Sequence, residues 1–218
     1  MMMQLINPIL VLLVLSGFML LGSSRLATCI RSVAFQGVLL GLLAISMQSG
    51  QLTISGVLLP ITTAVVKGFL LPWLLSRAMR EADTVREVEP LISYNLSIIS
   101  GAVVLALALW LGERLQLPSQ LPSSLLVPAA LFTSLVGMIV IVSRRKALTQ
   151  VVGYLALENG VYAFGAAAAL RLPVLVELGI LLDVFVGVFV MGIAIFHISR
   201  EFDHIDTDKL VALTDRPR

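Results

Sequence analysis

The chain has one cysteine, Cys29, and two histidines, His197 and His204, too few for an iron–sulfur cluster, a haem ligand pair or a tetrahedral zinc site. It is therefore expected to hold no metal and no redox centre of its own, and no catalytic residue is assigned to it. Charge is scarce too: 13% of the 218 residues are charged, where an ordinary soluble domain has about 25%. The opening MMMQLINPILVLLVLSGFML has no basic n-region, and no A-x-A-like cleavage site follows it, so it is read as a first span and not as a signal peptide. No nucleic-acid signal is present.

What is abundant is apolar sequence. Hydrophobic residues make up 58% of the chain and the mean hydropathy is +1.01. Nearly every stretch between charges is long enough to cross a bilayer, which takes about 20 apolar residues. The fold class is an all-α integral membrane protein with no domain that folds in water. Seven spans are expected: Ile6–Leu21, Val33–Met47, Leu52–Leu75, Leu91–Leu111, Leu125–Val142, Leu148–Leu170 and Val174–Ile198, the second being the weakest. The 15 Lys and Arg support that count, because cytoplasmic loops hold an excess of them. Arg25, Arg31, Arg77, Arg80, Arg86, Arg144, Arg145, Lys146, Arg200, Lys209, Arg216 and Arg218 fall on one side, and only Arg114 and Arg171 on the other. The N-terminus is thus expected outside and the C-terminal tail in the cytoplasm. The chain divides into an N-terminal three-helix half (1–90), a linking helix and outer loop (91–123), a C-terminal three-helix unit (124–200) and a cytoplasmic tail (201–218).

The sequence also echoes itself. Arg80-Glu81-Ala82-Asp83 closes the third span as Arg200-Glu201-Phe202-Asp203 closes the seventh, and Ser24-Arg25 precedes the second as Ser143-Arg144 precedes the sixth. Either this is a duplication, with parallel repeats related by an axis along the membrane normal, or it is chance combined with the basic ends that topology favours. On the repeat alignment Thr63 falls opposite Asp183, Lys67 opposite Gly187 and, with a small insertion, Gln36 near Glu158.

Three ionisable residues lie far from any expected interface: Lys67 in VVKGF, Glu158 in YLALENG and Asp183 in GILLDVF. Each is roughly ten residues, or ~13–15 Å at helical rise, from the nearest span boundary. A charge at that depth costs about 2.5–3.5 kcal/mol on insertion scales, so each needs compensation. One reading is a static ion pair of Lys67 with Glu158 or Asp183 that fixes helix packing. The other, preferred here, is a proton relay: burial disfavours the charged form of an acid and a nearby ammonium restores it, so moving one charge switches the other group. Asn159, Tyr162, Thr62 and Thr63 are secondary relay candidates alongside water, and Glu177, a turn inside the outer boundary, is a candidate pathway mouth or an interfacial charge. Gly37 and Gly41, like Ala156 and Gly160, have the four-residue spacing of close helix contacts. Pro60 and Pro72 flank Lys67 and are read first as a kink, second as a means of freeing carbonyls into a hydrated cavity. The turn Arg144-Arg145-Lys146 is read as a topology determinant, with a docking surface for a partner or anionic lipid as the alternative.

From Arg144 to Leu213 the sequence resembles hydrogenase-4 component E. The matching elements are the basic turn, Gly153-Tyr154-x-x-x-Glu158-Asn159-Gly160, Leu175-Val176-Glu177-Leu178-Gly179, the buried Asp183 and Asp206-x-Asp208-x-Leu210. The likeness extends more loosely over the N-terminal half. The last three spans are in turn similar to the K-type subunit of complex I and the C-type subunit of multisubunit cation/proton antiporters. In the K-type subunit, glutamates on helices two and three belong to the proton path. Glu158 matches the first, and Asp183, one methylene shorter, takes the place of the second.

The resemblance implies a membrane subunit of a formate hydrogenlyase-type group 4 NiFe hydrogenase complex in the inner membrane of a prokaryote. NiFe and iron–sulfur centres would reside in partner subunits, and the chain's neighbours would be antiporter-like membrane subunits, hydrogenase-type peripheral subunits and lipid. Its own part would be proton, or alternatively sodium, translocation through Lys67, Glu158 and Asp183. The rival readings are a purely structural membrane anchor of the same complex and a self-contained transporter.

Overall fold

A computed structural model describes residues 2–47, 54–81, 91–115 and 122–168, and every regular element among them is helical. This follows from the composition: where no water reaches the backbone, a helix satisfies each N–H and C=O within its own segment. The few hydroxyls in the apolar helices join the same economy. Ser16 donates to the Leu13 carbonyl, Ser32 to Thr28, Ser46 to Leu42 and Thr133 to Ala129, each about one turn back.

A short 3-10 turn, Met2–Leu5, leads into α1 (Ile6–Gly22), followed by α2 (Leu26–Ser46). Next come α3 (Ile54–Val65) and α4 (Leu71–Glu81), joined without a break by a π-helical turn, Val66–Leu70. Then follow α5 (Tyr94–Arg114), α6 (Leu126–Ser143) and α7 (Ala147–Ala168). These match the first six expected spans, with two differences. The second helix starts at Leu26, not Val33, because Arg31, at which the expected span stopped, is exposed on the helix surface and its long stem lets the helix run past it. The third continues past Leu75 to Glu81. The expected seventh span, Val174–Ile198, lies outside the described residues.

Among the described residues α2, α5 and α6 are each long and apolar enough to cross a membrane, and α1 is a shorter apolar helix. The span that looked weakest in sequence is thus among the stronger candidates once its true start is counted. Large apolar side chains such as Leu15, Phe69, Val103 and Trp110 are exposed around the outside, as a lipid-facing or subunit-facing surface requires.

Four helices form a ring: α1 packs on α2 and α6, and α7 packs on those same two. α6 and α7 make the tightest pair because glycines line both sides of their contact. A methyl group on Gly137 would strike the Leu157 backbone, and one on Gly160 the backbone and hydroxyl of Ser134. The α1–α6 contact centres on Phe132, packed beneath Gly17 and 5.1 Å from the Phe18 ring. α5 lies outside the ring against α1 and α6 and buries only Ser97, Gly101 and Ala108. The third rod lies against α2.

The ring bears on one of the two readings of the sequence echo. If α1–α2 and α6–α7 were related by a two-fold axis parallel to the helices, α1 could touch α6, and α2 touch α7, only if α1 also met α7 and α2 met α6. The first two contacts are extensive, with no comparable packing in the last two. The echo in sequence is therefore not built as that axis.

Candidate functional site

The site forms where α2, the π-helical turn and the middle of α7 meet. Gly37 sets the spacing. A Cβ there would lie 2.6 Å from the carbonyl carbon of Lys67 and 2.7 Å from its Cβ, and one on Gly41 would lie 2.6 Å from the Cβ of Ala64. The G-x-x-x-G spacing thus does what it commonly does, letting two backbones approach closely.

The π-helical turn has a local cause. Proline at position 72 offers no N–H to the preceding turn, and the Leu71 N–H bonds back to the Val66 carbonyl, five residues away, closing the wider turn. Pro72, read first as a kink, thereby favours a π turn containing Lys67, while Pro60 lies within α3. Such turns rotate the following side chains relative to a regular helix and are frequent at functional sites.

Lys67 reaches across to α7. Its Nζ is 2.6 Å from Oε1 of Glu158, and the two residues are only 4% and 1% exposed. Of the two partners that the sequence allowed for Lys67, Glu158 is the one among the described residues. Eleven residues into a helix that begins at Ala147, Glu158 lies ~16 Å from its start. The ring of Tyr162, one turn further along α7, has its centroid 5.8 Å from Lys67 Nζ, within cation–π range. The Tyr162 hydroxyl in turn donates to Thr63 Oγ1 at 3.4 Å, a long bond that ties the same two helices a turn from the ion pair.

Beside the ion pair is a second polar contact. Asn159 Nδ2 donates to Gln36 Oε1 at 3.3 Å, and both residues are buried, Gln36 completely. The arrangement brings together Lys67, Glu158, Asn159, Tyr162 and Thr63 from the sequence reading. It leaves out Thr62, which is exposed and bonds back to the Leu58 carbonyl. Asp183 and Glu177 lie outside the described residues.

Sequence reasoning did not assign Gln36 a role, although the repeat alignment placed it near Glu158. The available signal was chemical: an amide inside an apolar helix commonly bonds to a neighbouring helix.

Arg144, in the basic turn read as a topology determinant, is 2% exposed; its Nη2 donates to the carbonyl of Leu21 at the end of α1, and its guanidinium lies 5.1 Å from the Tyr94 ring. Burial lowers its basicity, with Tyr94 and Cys29 acting in the opposite direction. It clamps α1, the start of α5 and the α6–α7 turn together; Arg145 beside it is exposed.

Comparison with known proteins gives a consistent result. "Uncharacterized protein Rv0085" of Mycobacterium tuberculosis is 33% identical over 208 residues, 93% of each chain. Hydrogenase-4 component E of Escherichia coli K12 is 30% identical over 149 residues, 68% of this chain and 69% of its own length, and the Shigella flexneri protein of that name matches to the same extent. No protein-family model matches the chain, and no solved structure matches it significantly.

Proposed function

Because the chain belongs to the hydrogenase-4 component E family, we propose that it is a membrane subunit of a hydrogenase complex and that it moves protons through the Lys67–Glu158 site. The observation that carries the ion-moving role is the buried pair itself. A lysine and a glutamate at membrane depth are costly to insert, and such groups mark relay pathways by default. Their opposite charges lie 2.6 Å apart, so each compensates the other. When a proton reaches Glu158 the carboxylate is neutralised, the Lys67 ammonium loses its compensating charge, and release of the Lys67 proton becomes favourable; reprotonating Lys67 makes ionisation of Glu158 favourable again. Tyr162 stabilises the ammonium through its ring face and fixes the α3–α7 spacing through Thr63.

The wider arrangement belongs to the same proposal. Seven spans put the N-terminus outside and the tail in the cytoplasm, the chain divides at 90, 123 and 200, and the last three spans adopt a K-type arrangement. Asp183 is the second acid of the path and Glu177 its outer mouth. NiFe and iron–sulfur centres in peripheral subunits drive the movement, antiporter-like subunits and lipid surround the chain, and the complex lies in the inner membrane of a prokaryote. Support comes from the family, the apolar helices and the distribution of Lys and Arg.

The test is Glu158→Gln, which keeps shape and hydrogen bonding but cannot release a proton. In membrane vesicles containing the assembled complex, electron transfer should persist while proton translocation is lost. Full translocation in an assembled Glu158→Gln complex rejects the relay and leaves the anchoring role. Ion conduction by the chain reconstituted alone would instead favour the self-contained transporter.

A further inference from the structure

The amide contact beside the ion pair contains an unbalanced atom. Gln36 is fully buried, and its Oε1 accepts from Asn159, yet its Nε2 has no acceptor among the described residues. A buried donor without a partner costs about 1–3 kcal/mol, and native structures meet that cost with protein acceptors or internal water. Its position is informative. Gln36 precedes Gly37, which abuts the backbone and Cβ of Lys67, while its bonding partner Asn159 follows Glu158. The amide is thus one residue removed from the ion pair on both sides, in the same layer of the bundle. With Asn159 Nδ2 donating, Gln36 presents its oxygen to α7, and its NH2 group takes no part in that contact.

We infer that Gln36 Nε2 anchors an internal water molecule at the junction of α2, the π-helical turn and α7, and that Gln36 thereby acts as a positioning residue for the Lys67–Glu158 pair. Water is the ligand that fits: a fully buried amide N–H needs an acceptor, and buried waters meet such groups, typically making about three hydrogen bonds each. The amide itself does not titrate, so its part is to hold the water in place, giving the ion pair an exchangeable neighbour. The placement of the water rests on Gln36 alone; its use in proton movement rests on the relay reading.

Two measurements on the native complex test this. In a density map that resolves waters elsewhere in the membrane arm, an ordered peak is expected at hydrogen-bonding distance, about 2.7–3.2 Å, from Gln36 Nε2. A protein or lipid group at that position, or no peak, overturns the inference. In redox-difference infrared spectra, a water O–H band that shifts in oxygen-18 water is expected in the wild type and is lost in Gln36→Leu, while Gln36→Glu, which keeps a polar head at the same reach, retains an oxygen-18-sensitive band. A band unchanged in Gln36→Leu also overturns it. Failure of the relay reading shows separately, as normal translocation in Glu158→Gln with the Gln36 water still in place.

Discussion

Lys67 and Glu158, separated by 91 positions in sequence, meet at 2.6 Å inside the helix bundle. The contact makes the α3–α4 rod and α7 one electrostatic unit, so neither charge can be altered without changing the other.

The first expected consequence is non-additivity. Removing either partner alone, as in Lys67→Met or Glu158→Gln, leaves the other buried without its counter-charge, a loss of about 3–5 kcal/mol where no relaxation or neutralisation relieves it. The double variant Lys67→Met/Glu158→Gln should recover most of that loss. Thermal stability of the purified complex, measured through a double-mutant cycle, checks this. Strictly additive losses would mean that the two charges do not compensate each other.

Lys67→Arg separates pairing from proton exchange. Arginine remains a cation and can bond to Glu158, but it does not deprotonate under protein conditions. Assembly should remain near wild type while proton translocation per electron falls to background. Undiminished translocation in Lys67→Arg would show that Lys67 need not release its proton.

Gly37 should tolerate no side chain. In Gly37→Ala the new methyl lies 2.6 Å from the Lys67 carbonyl carbon, and because the obstacle is backbone, α2 must move away from the π-helical turn. A loss of about 1–3 kcal/mol is expected, as for an overpacked core. The amount of assembled complex in membranes reads this out, with Gly22→Ala, whose methyl meets only a flexible Ile98 side chain at 3.4 Å, as the control.

Arg144 and Arg145 should behave differently despite being adjacent. Arg144→Ala loses a charge-assisted bond to the Leu21 carbonyl, about 1.5–3 kcal/mol, along with its stacking on Tyr94. Arg145→Ala, at an exposed position, should change abundance little, because surface substitutions usually fall within about 0.5 kcal/mol. Reporters fused to the termini should give the same topology for both variants, since many other basic residues remain on that side. Equal loss of complex in the two variants would contradict the buried clamp.

Much of this protein is determined by sequence acting locally. Composition requires helices, because in an apolar medium each backbone group must find its partner within its own segment, and the apolar runs placed α1, α5 and α6 within about three residues of their expected limits and the start of α7 within one. The rarity of Lys67 and Glu158 in apolar surroundings marked them equally clearly, since the cost of a buried charge depends on depth and not on which helix lies opposite. Which helix lies opposite is what the tertiary structure decided. Lys67 faces Glu158 because Gly37 lets α2 seat the third rod closely and because Pro72 and the Leu71–Val66 bond place Lys67 in a π-helical turn. Arg144 is buried and Arg145 exposed, although both belong to one basic run, because only the first can reach the end of α1 and the Tyr94 ring. Gln36 acquires its significance in the same way. An amide in an apolar helix must bond somewhere, but only the packing of α2 against α7 sets it beside Asn159 and next to the ion pair.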